Sequence, residues 1–238
     1  VQRWLDNRYL NRRELLNSHE FSDHRRIVYF PLQTEPEVSL QGQSPEASNQ
    51  LAYLYEIALS MPADTLVLVK EHFLQLGRRP RSLYEWIAKL PNVELVGPWV
   101  SSLELIKRSY LVCTINGTAA YEAAALGKNV AYLSRHGVVR SVPHVHPVAD
   151  YDDFSSLRRL LQTDNAADLN RRREDGARFY RAMTQHSMEL GSLLFYTKNQ
   201  LPTEENLSEI TEGLINSLDV GNQVSDGLGA TQARRLDA

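Results

Sequence analysis

The chain has 238 residues, 42% hydrophobic and 23% charged, with a formal net charge of −3. This is an ordinary globular composition, and its mild acidity gives no electrostatic reason to expect a nucleic-acid partner. A single cysteine, Cys113, excludes an internal disulfide framework, and no run of 18 apolar residues is present to span a membrane.

The chain opens on Val1 rather than Met, as expected of a piece of a longer protein. Val1 to Asn17 carries Trp4, Leu5, Tyr9, Leu10, Leu15 and Leu16 at helical spacing. His19 to Arg26 is a polar connector, and its histidines, His19 and His24, lack partners at metal-ligand spacing. Arg26 to Pro31 is the first strand, and Leu32 to Glu37 is the loop that leaves it. Such a loop is where α/β proteins place ligand contacts, so Gln33 and Glu35 are candidates; the alternative is a solvated, proline-stiffened loop. Ser39 to Ser48 is Gly/Ser/Gln-rich and expected to be mobile. Glu46 to Ser60 is a helix with Leu51, Leu54, Tyr55, Ala58 and Leu59 on one face.

Thr65 to Lys70 is the strongest strand, and it ends in Lys70-Glu71-His72. Three ionisable residues there would share one crevice and suit a diphosphate or phosphodiester, with His72 donating to phosphate or protonating a leaving group. Otherwise Lys70 and Glu71 face solvent and His72 caps the loop. Gln75 to Pro80 is a basic loop, and Arg81 to Leu90 a helix with Trp86 and Ile87 inward. Asn92 to Val96 is a short strand. Ser101 with Glu104 forms a capping-box pattern for a helix carrying Leu103, Leu105 and Ile106.

Leu111 to Thr114 reads as a buried strand, Asn116-Gly117-Thr118 as a tight turn, Ala119 to Leu126 as a helix closed by Gly127, and Asn129 to Leu133 as a strand. Small residues let a ligand approach the backbone. N–H groups at the helix start, with the Thr118 hydroxyl, can hold a phosphate. Glu122, one helical turn on, is placed to accept from ribose hydroxyls. The alternative is a well-formed helix start and nothing more. Arg135 to Pro147 is a loop in which His136, His144 and His146 stack or face phosphate rather than bind metal. Asp150 to Gln162 is a turn and a helix. Ala166 to Glu189 is a long helix whose Arg171-Arg172-Arg173 run is a solvated face. Thr203 to Leu218 is a last helix, and Val220 to Ala238 a disordered tail.

The alternation of strands and helices predicts an α/β, Rossmann-like parallel sheet with helices on both faces, spanning 26–165. A helical segment (1–25) precedes it, and C-terminal helices (166–219) and the tail (220–238) follow. Neither GxGxxG nor GxxxxGK[ST] occurs, so neither a nicotinamide or flavin cofactor nor P-loop chemistry is expected.

Five segments resemble, in order, a known family: Tyr29-Phe30-Pro31-Leu32-Gln33 with Pro36-Glu37; Val69-Lys70-Glu71-His72; Leu90-Pro91-Asn92-Val93; Ser102-x-Glu104-Leu105-Ile106-Lys107; and Asn116-Gly117-Thr118-x-x-x-Glu122-Ala123 with Gly127-Lys128. The set is similar to bacterial capsule polysaccharide biosynthesis proteins, GT-B-type glycosyltransferases related to the Kdo transferases, over Arg26 to Ser134. The resemblance implies the donor-binding half of a two-domain enzyme that makes a bacterial surface polysaccharide, with CMP-Kdo as a donor. Its acceptor domain would lie outside this chain. The partners implied are a nucleotide sugar and a glycan or glycolipid acceptor, in the cytoplasm or peripherally at the inner membrane. No metal and no cofactor are implied. Lys70 and His72 would stabilise the departing phosphate, Asn116-Gly117-Thr118 would bind it, and Glu122 would face the nucleotide. The chain departs from the family at Phe73, where proline is usual, and at Ser134 to Val139, where a Gly-rich loop is usual. Two other readings are a nucleotide-sugar 2-epimerase-like enzyme and a degenerate binding module. The latter would use the basic helix Asn170 to Arg181 against anionic lipid or glycan.

Overall fold

The computed structural model describes residues 26–42, 44–45, 49–148, 151–161 and 166–185. The helices expected over Val1 to Asn17 and Thr203 to Leu218, most of the 19–26 connector, and the 220–238 tail lie outside the described residues. The chain divides into two compact units, Val1–Phe179 and Tyr180–Ala238. The first contains the sheet; of the second, residues 180–185 are described and are helical.

The fold is a Rossmann-like α/β sheet of six strands in the order β3-β2-β1-β4-β5-β6. The strands are β1 (Arg26–Pro31), β2 (Thr65–Lys70), β3 (Val93–Val96), β4 (Leu111–Thr114), β5 (Asn129–Tyr132) and β6 (Val145–Pro147). All pair in parallel. The helices are α1 (Val38–Gln41), α2 (Gln50–Ser60), α3 (Arg81–Ile87), α4 (Ser102–Arg108), α5 (Thr118–Ala125), α6 (Leu157–Leu160) and α7 (Ala166–Gln185).

The strands are apolar along their length because both sheet faces are covered. Val28, Phe30, Val67 and Val69 pack with Leu54 and Ile57 of α2 and Tyr84 and Ile87 of α3. Tyr29, Leu66, Leu68 and Val112 pack with Leu105 and Ile106 of α4 and Ala120, Ala123 and Ala124 of α5. The strand order therefore reverses between β1 and β4. That reversal opens a crevice beyond their C-terminal ends.

Several local expectations are corrected. Of the segment Ser39 to Ser48, residues 39–41 belong to the short helix α1, and residues 43 and 46–48 lie outside the described residues. In α2 the buried residues are Gln50, Tyr53, Leu54, Ile57 and Ala58, while Tyr55 and Leu59 are exposed. Ser101 is the N-cap of α4 without a side-chain cap bond, and Glu104 pairs with Arg108 at 3.1 Å instead. The expected loop around His146 contains β6. Arg172 is not solvated: it is buried and donates Nε to the Gly127 carbonyl at 2.8 Å.

Candidate functional site

A cavity of about 210 Å³ lies at the point of reversal. Pro31, Leu32, Gln33, Thr34 and Glu37 line it from the segment after β1, His72 from the loop after β2, and Asn116, Gly117, Thr118 and Ala119 from the turn after β4. Of the predicted residues, the structure brings together Gln33, His72, Asn116, Gly117 and Thr118. It does not bring Glu35, Glu71, Lys70 or Glu122 into this lining.

The turn is built from its own side chains. Thr114 Oγ1 donates to the Asn116 carbonyl at 2.9 Å, and Gln33 Nε2 donates to the same carbonyl. Asn116 Oδ1 accepts from Gly117 N at 2.7 Å and from Tyr132 OH at 3.1 Å. Gly117 has φ 103°, a conformation open to glycine and strained for other residues. The Gly117 amide is occupied by its bond to Asn116 Oδ1. The first amides of α5, Thr118 and Ala119, have no carbonyl one turn back to accept them. Together with the Thr118 hydroxyl they are the donors the turn offers.

His72 caps the loop and also lines the cavity. It is the N-cap of the short 3₁₀ turn Phe73–Gln75, with Nδ1 accepting from Leu74 N at 3.3 Å. An acceptor Nδ1 puts the proton of the neutral ring on Nε2. His72 can therefore donate to an anion without first gaining a charge.

Glu71 does not point into the crevice. It is 3% exposed, with Oε1 accepting from His72 N at 2.6 Å and Oε2 from Tyr84 OH at 2.9 Å. Arg79 Nε lies 3.0 Å from Glu71 Oε2 in ionic contact, at an angle that does not make a hydrogen bond. Burial pushes the Glu71 carboxyl up, and Arg79 and the hydrogen bonds only partly offset it. Glu35 belongs to the same network, accepting from Arg79 Nη1 at 2.7 Å and from Gln50 Nε2 at 2.5 Å. Arg79 also donates to the Gln33 carbonyl. The carboxylate that does line the cavity is Glu37. Arg79 was hidden as one of several charges in a basic loop, and its neighbours alone give no local signal for its role.

Lys70 lies on the opposite face. Its Nζ donates to Ser102 Oγ at 3.0 Å, and Tyr29 OH donates to the same oxygen at 3.4 Å. Glu122 acts electrostatically on both. Burial lowers the Lys70 amine, partly offset by Glu122. Burial pushes Tyr29 up to about 12. Lys70 and Glu122 thus form a second polar cluster with Tyr29 and Ser102.

None of His136, His144 and His146 lines this cavity. His144 is 3% exposed and its Nε2 bonds the Ala124 carbonyl at 2.8 Å. His144 Nδ1 and His146 Nε2 are buried without a hydrogen-bond partner. Among the described residues no group of three or more His, Cys, Asp or Glu is arranged to hold a metal ion. No described helix is long and apolar enough to cross a membrane.

No family model matches the chain, and no curated protein does. Among solved structures, it is similar to a UDP-GlcNAc 2-epimerase of Methanocaldococcus jannaschii in complex with UDP-GlcNAc and UDP. That match has 15% identity over 77% of this chain and 52% of the other, with a TM-score of 0.46. It is also similar to the β-Kdo 2,4-transferase KpsC of Thermosulfurimonas dismutans, at 16% identity over 74% and 52%, with a TM-score of 0.43. The wall teichoic acid polymerase TagF matches at 12% identity over 92% and 47%, with a TM-score of 0.43. The chain spans about half the length of these structures.

Proposed function

We propose that this chain is the donor-binding half of a GT-B-type glycosyltransferase and that the cavity at the sheet's point of reversal holds the phosphates of a nucleotide sugar. The observation that carries the reading is the convergence of Thr118, Ala119 and His72 on one cavity at that point. The amides of Thr118 and Ala119 and the Thr118 hydroxyl supply donors beside a helix start, where negative charge is favoured. His72 Nε2–H supplies another from the facing loop. Donors fixed before the reaction stabilise charge that develops on a leaving phosphate. Gln33 braces the turn from below. Lys70 and Glu122 stand in the neighbouring cluster with Tyr29 and Ser102, outside this lining, and the phosphate reading does not rest on them.

The sequence motifs that resemble capsule polysaccharide enzymes support the finer reading: transfer of a sugar, with CMP-Kdo as the donor, to a glycan or glycolipid acceptor held by a domain outside this chain. The test is a thermal-shift panel of CMP, UDP, GDP and CMP-Kdo on the wild type, His72→Ala and Thr118→Ala. A ligand at one hundred times its Kd adds about 2.7 kcal/mol of stability. One nucleotide is expected to stabilise the wild type, with both variants responding less. No shift with any of the four would contradict the proposal.

A further inference from the structure

Arg79 reaches both walls of the cavity through separate partners. On one side its guanidinium donates to the Gln33 carbonyl and to Glu35, and the Gln33 side chain continues to the Asn116 carbonyl in the turn. Gln50 locks the same loop, accepting from Gln33 N at 2.6 Å and donating to its carbonyl at 3.2 Å. On the other side Arg79 lies against Glu71, whose second oxygen holds the His72 amide. Tyr84 of α3 fixes that carboxylate from behind. Two walls from different strands thus share a single cation, itself 6% exposed. A neutral bond runs beside it: Gln75, in the turn that His72 caps, donates Nε2 to the Glu35 carbonyl at 2.7 Å.

We propose that Arg79 is a positioning residue that sets the separation between His72 and the Asn116–Ala119 turn, and so the span of phosphate that the cavity accepts. This rests on the cavity being a phosphate site. A planar guanidinium is suited to the task because it holds several acceptors in fixed directions at once, which a lysine ammonium does not. Arg79 touches no ligand itself. It acts through Gln33 on the turn and through Glu71 on His72.

The experiment compares backbone amide NMR spectra of the full chain and its Arg79→Lys, Glu35→Gln and Glu71→Gln variants, together with CMP, UDP and GDP titrations. Arg79→Lys is expected to move the His72 signals and those of Gly117, Thr118 and Ala119, while the β5 amides of Val130 and Ala131 stay in place. Glu35→Gln is expected to move the turn signals and leave His72. Glu71→Gln is expected to do the reverse. Nucleotide affinity should fall about tenfold or more in Arg79→Lys, as it does when supporting contacts of a site are loosened. If Arg79→Lys leaves both walls unmoved, or spreads its shifts evenly through β5 and α5, the proposal is overturned. Should the buried variants not fold, Glu35→Gln, whose side chain is 34% exposed, still decides: turn signals that do not move contradict the bracing. If the wild type binds none of the nucleotides, the phosphate reading fails, and the amide spectra still report on whether Arg79 couples the walls.

Discussion

Lys70 and Glu71 are consecutive in the chain and serve opposite sides of the sheet. Leu66 and Leu68 pack on the α4/α5 side, and Lys70 continues that series to Ser102; Val67 and Val69 pack on the α2/α3 side, and Glu71 continues that series to Tyr84. The alternation of a strand persists one residue beyond its last ladder position. A motif that reads as three charges in one crevice is therefore three residues in three places.

Removing each charge should have unequal consequences. Glu71→Ala leaves Arg79 buried with half its ionic partners gone, a loss of about 3 to 5 kcal/mol. Lys70→Ala removes a half-buried contact to a hydroxyl and should cost about 1 kcal/mol. Urea unfolding at neutral pH, with unchanged m-values, measures both. Equal losses would contradict the assignment of faces.

His144 and His146 give the fold a pH dependence of definite sign. Burial lowers both imidazoles below the ordinary value of 6.5, with the neighbouring His144 and Arg172 lowering His146 further. Below about pH 6.5 the unfolded chain binds these protons before the folded one does. Their contribution to stability is present above that pH and is lost as pH falls through the depressed folded values. Melting temperatures between pH 7.5 and 5.5 should fall in the wild type and fall less in His144→Gln, whose amide can still donate to the Ala124 carbonyl. An equal fall in both would contradict this.

Two glycines are predicted to behave differently on change to alanine. At Gly176 a Cβ would lie 2.2 Å from the Ala124 carbonyl oxygen and 3.0 Å from Ala125 Cα. Helix propensity favours alanine there by about 1 kcal/mol, but backbone overlap cannot relax cheaply, and a net loss of about 1 to 3 kcal/mol is expected. At Gly117 the space is open, with only Gln33 Nε2 at 3.8 Å. The cost there is the backbone conformation, about 1 to 3 kcal/mol, and it falls on the turn. Thermal unfolding measures both losses, and amide shifts confined to 114–119 are expected only for Gly117→Ala.

The tautomer of His72 predicts a ranking of substitutions. Glutamine can place an N–H near the Nε2 position and asparagine cannot. His72→Gln should retain more nucleotide affinity than His72→Asn, by about 1.5 kcal/mol, the worth of one hydrogen bond to a charged group. Calorimetric titration gives the order, and the reverse order would contradict the assigned donor.

Much of the fold was legible because β1, β2 and β4 are apolar runs with sharp ends: Pro31, Lys70 and the Asn116 turn. Strand β6 was not legible, since Val-His-Pro is three residues long and shows no period. The inward face of α2 was misphased because Tyr55 and Leu59 are apolar yet exposed, with Tyr55 resting against Trp86 at a ring distance of 6.1 Å. In the site, the convergence of the Asn116 turn and His72 was legible, because both follow the C-terminal ends of strands in one parallel sheet. That Glu37 rather than Glu35 lines the cavity was not, because Glu35 is held by Arg79, 44 residues away. Networks that close through tertiary contacts leave little trace in local spacing.

Binding of nucleotide phosphates in the cavity between His72 and the Asn116 turn is what the proposed function requires. The most direct measurement is an amide and histidine-ring NMR titration of the full chain with CMP and with UDP. Saturable shifts are expected at Thr118, Ala119 and His72 Nε2, with Asn129 and His146 at the far side of β5 unmoved. Saturable shifts that centre elsewhere and spare Thr118 and His72, or no shifts at millimolar nucleotide, would contradict it.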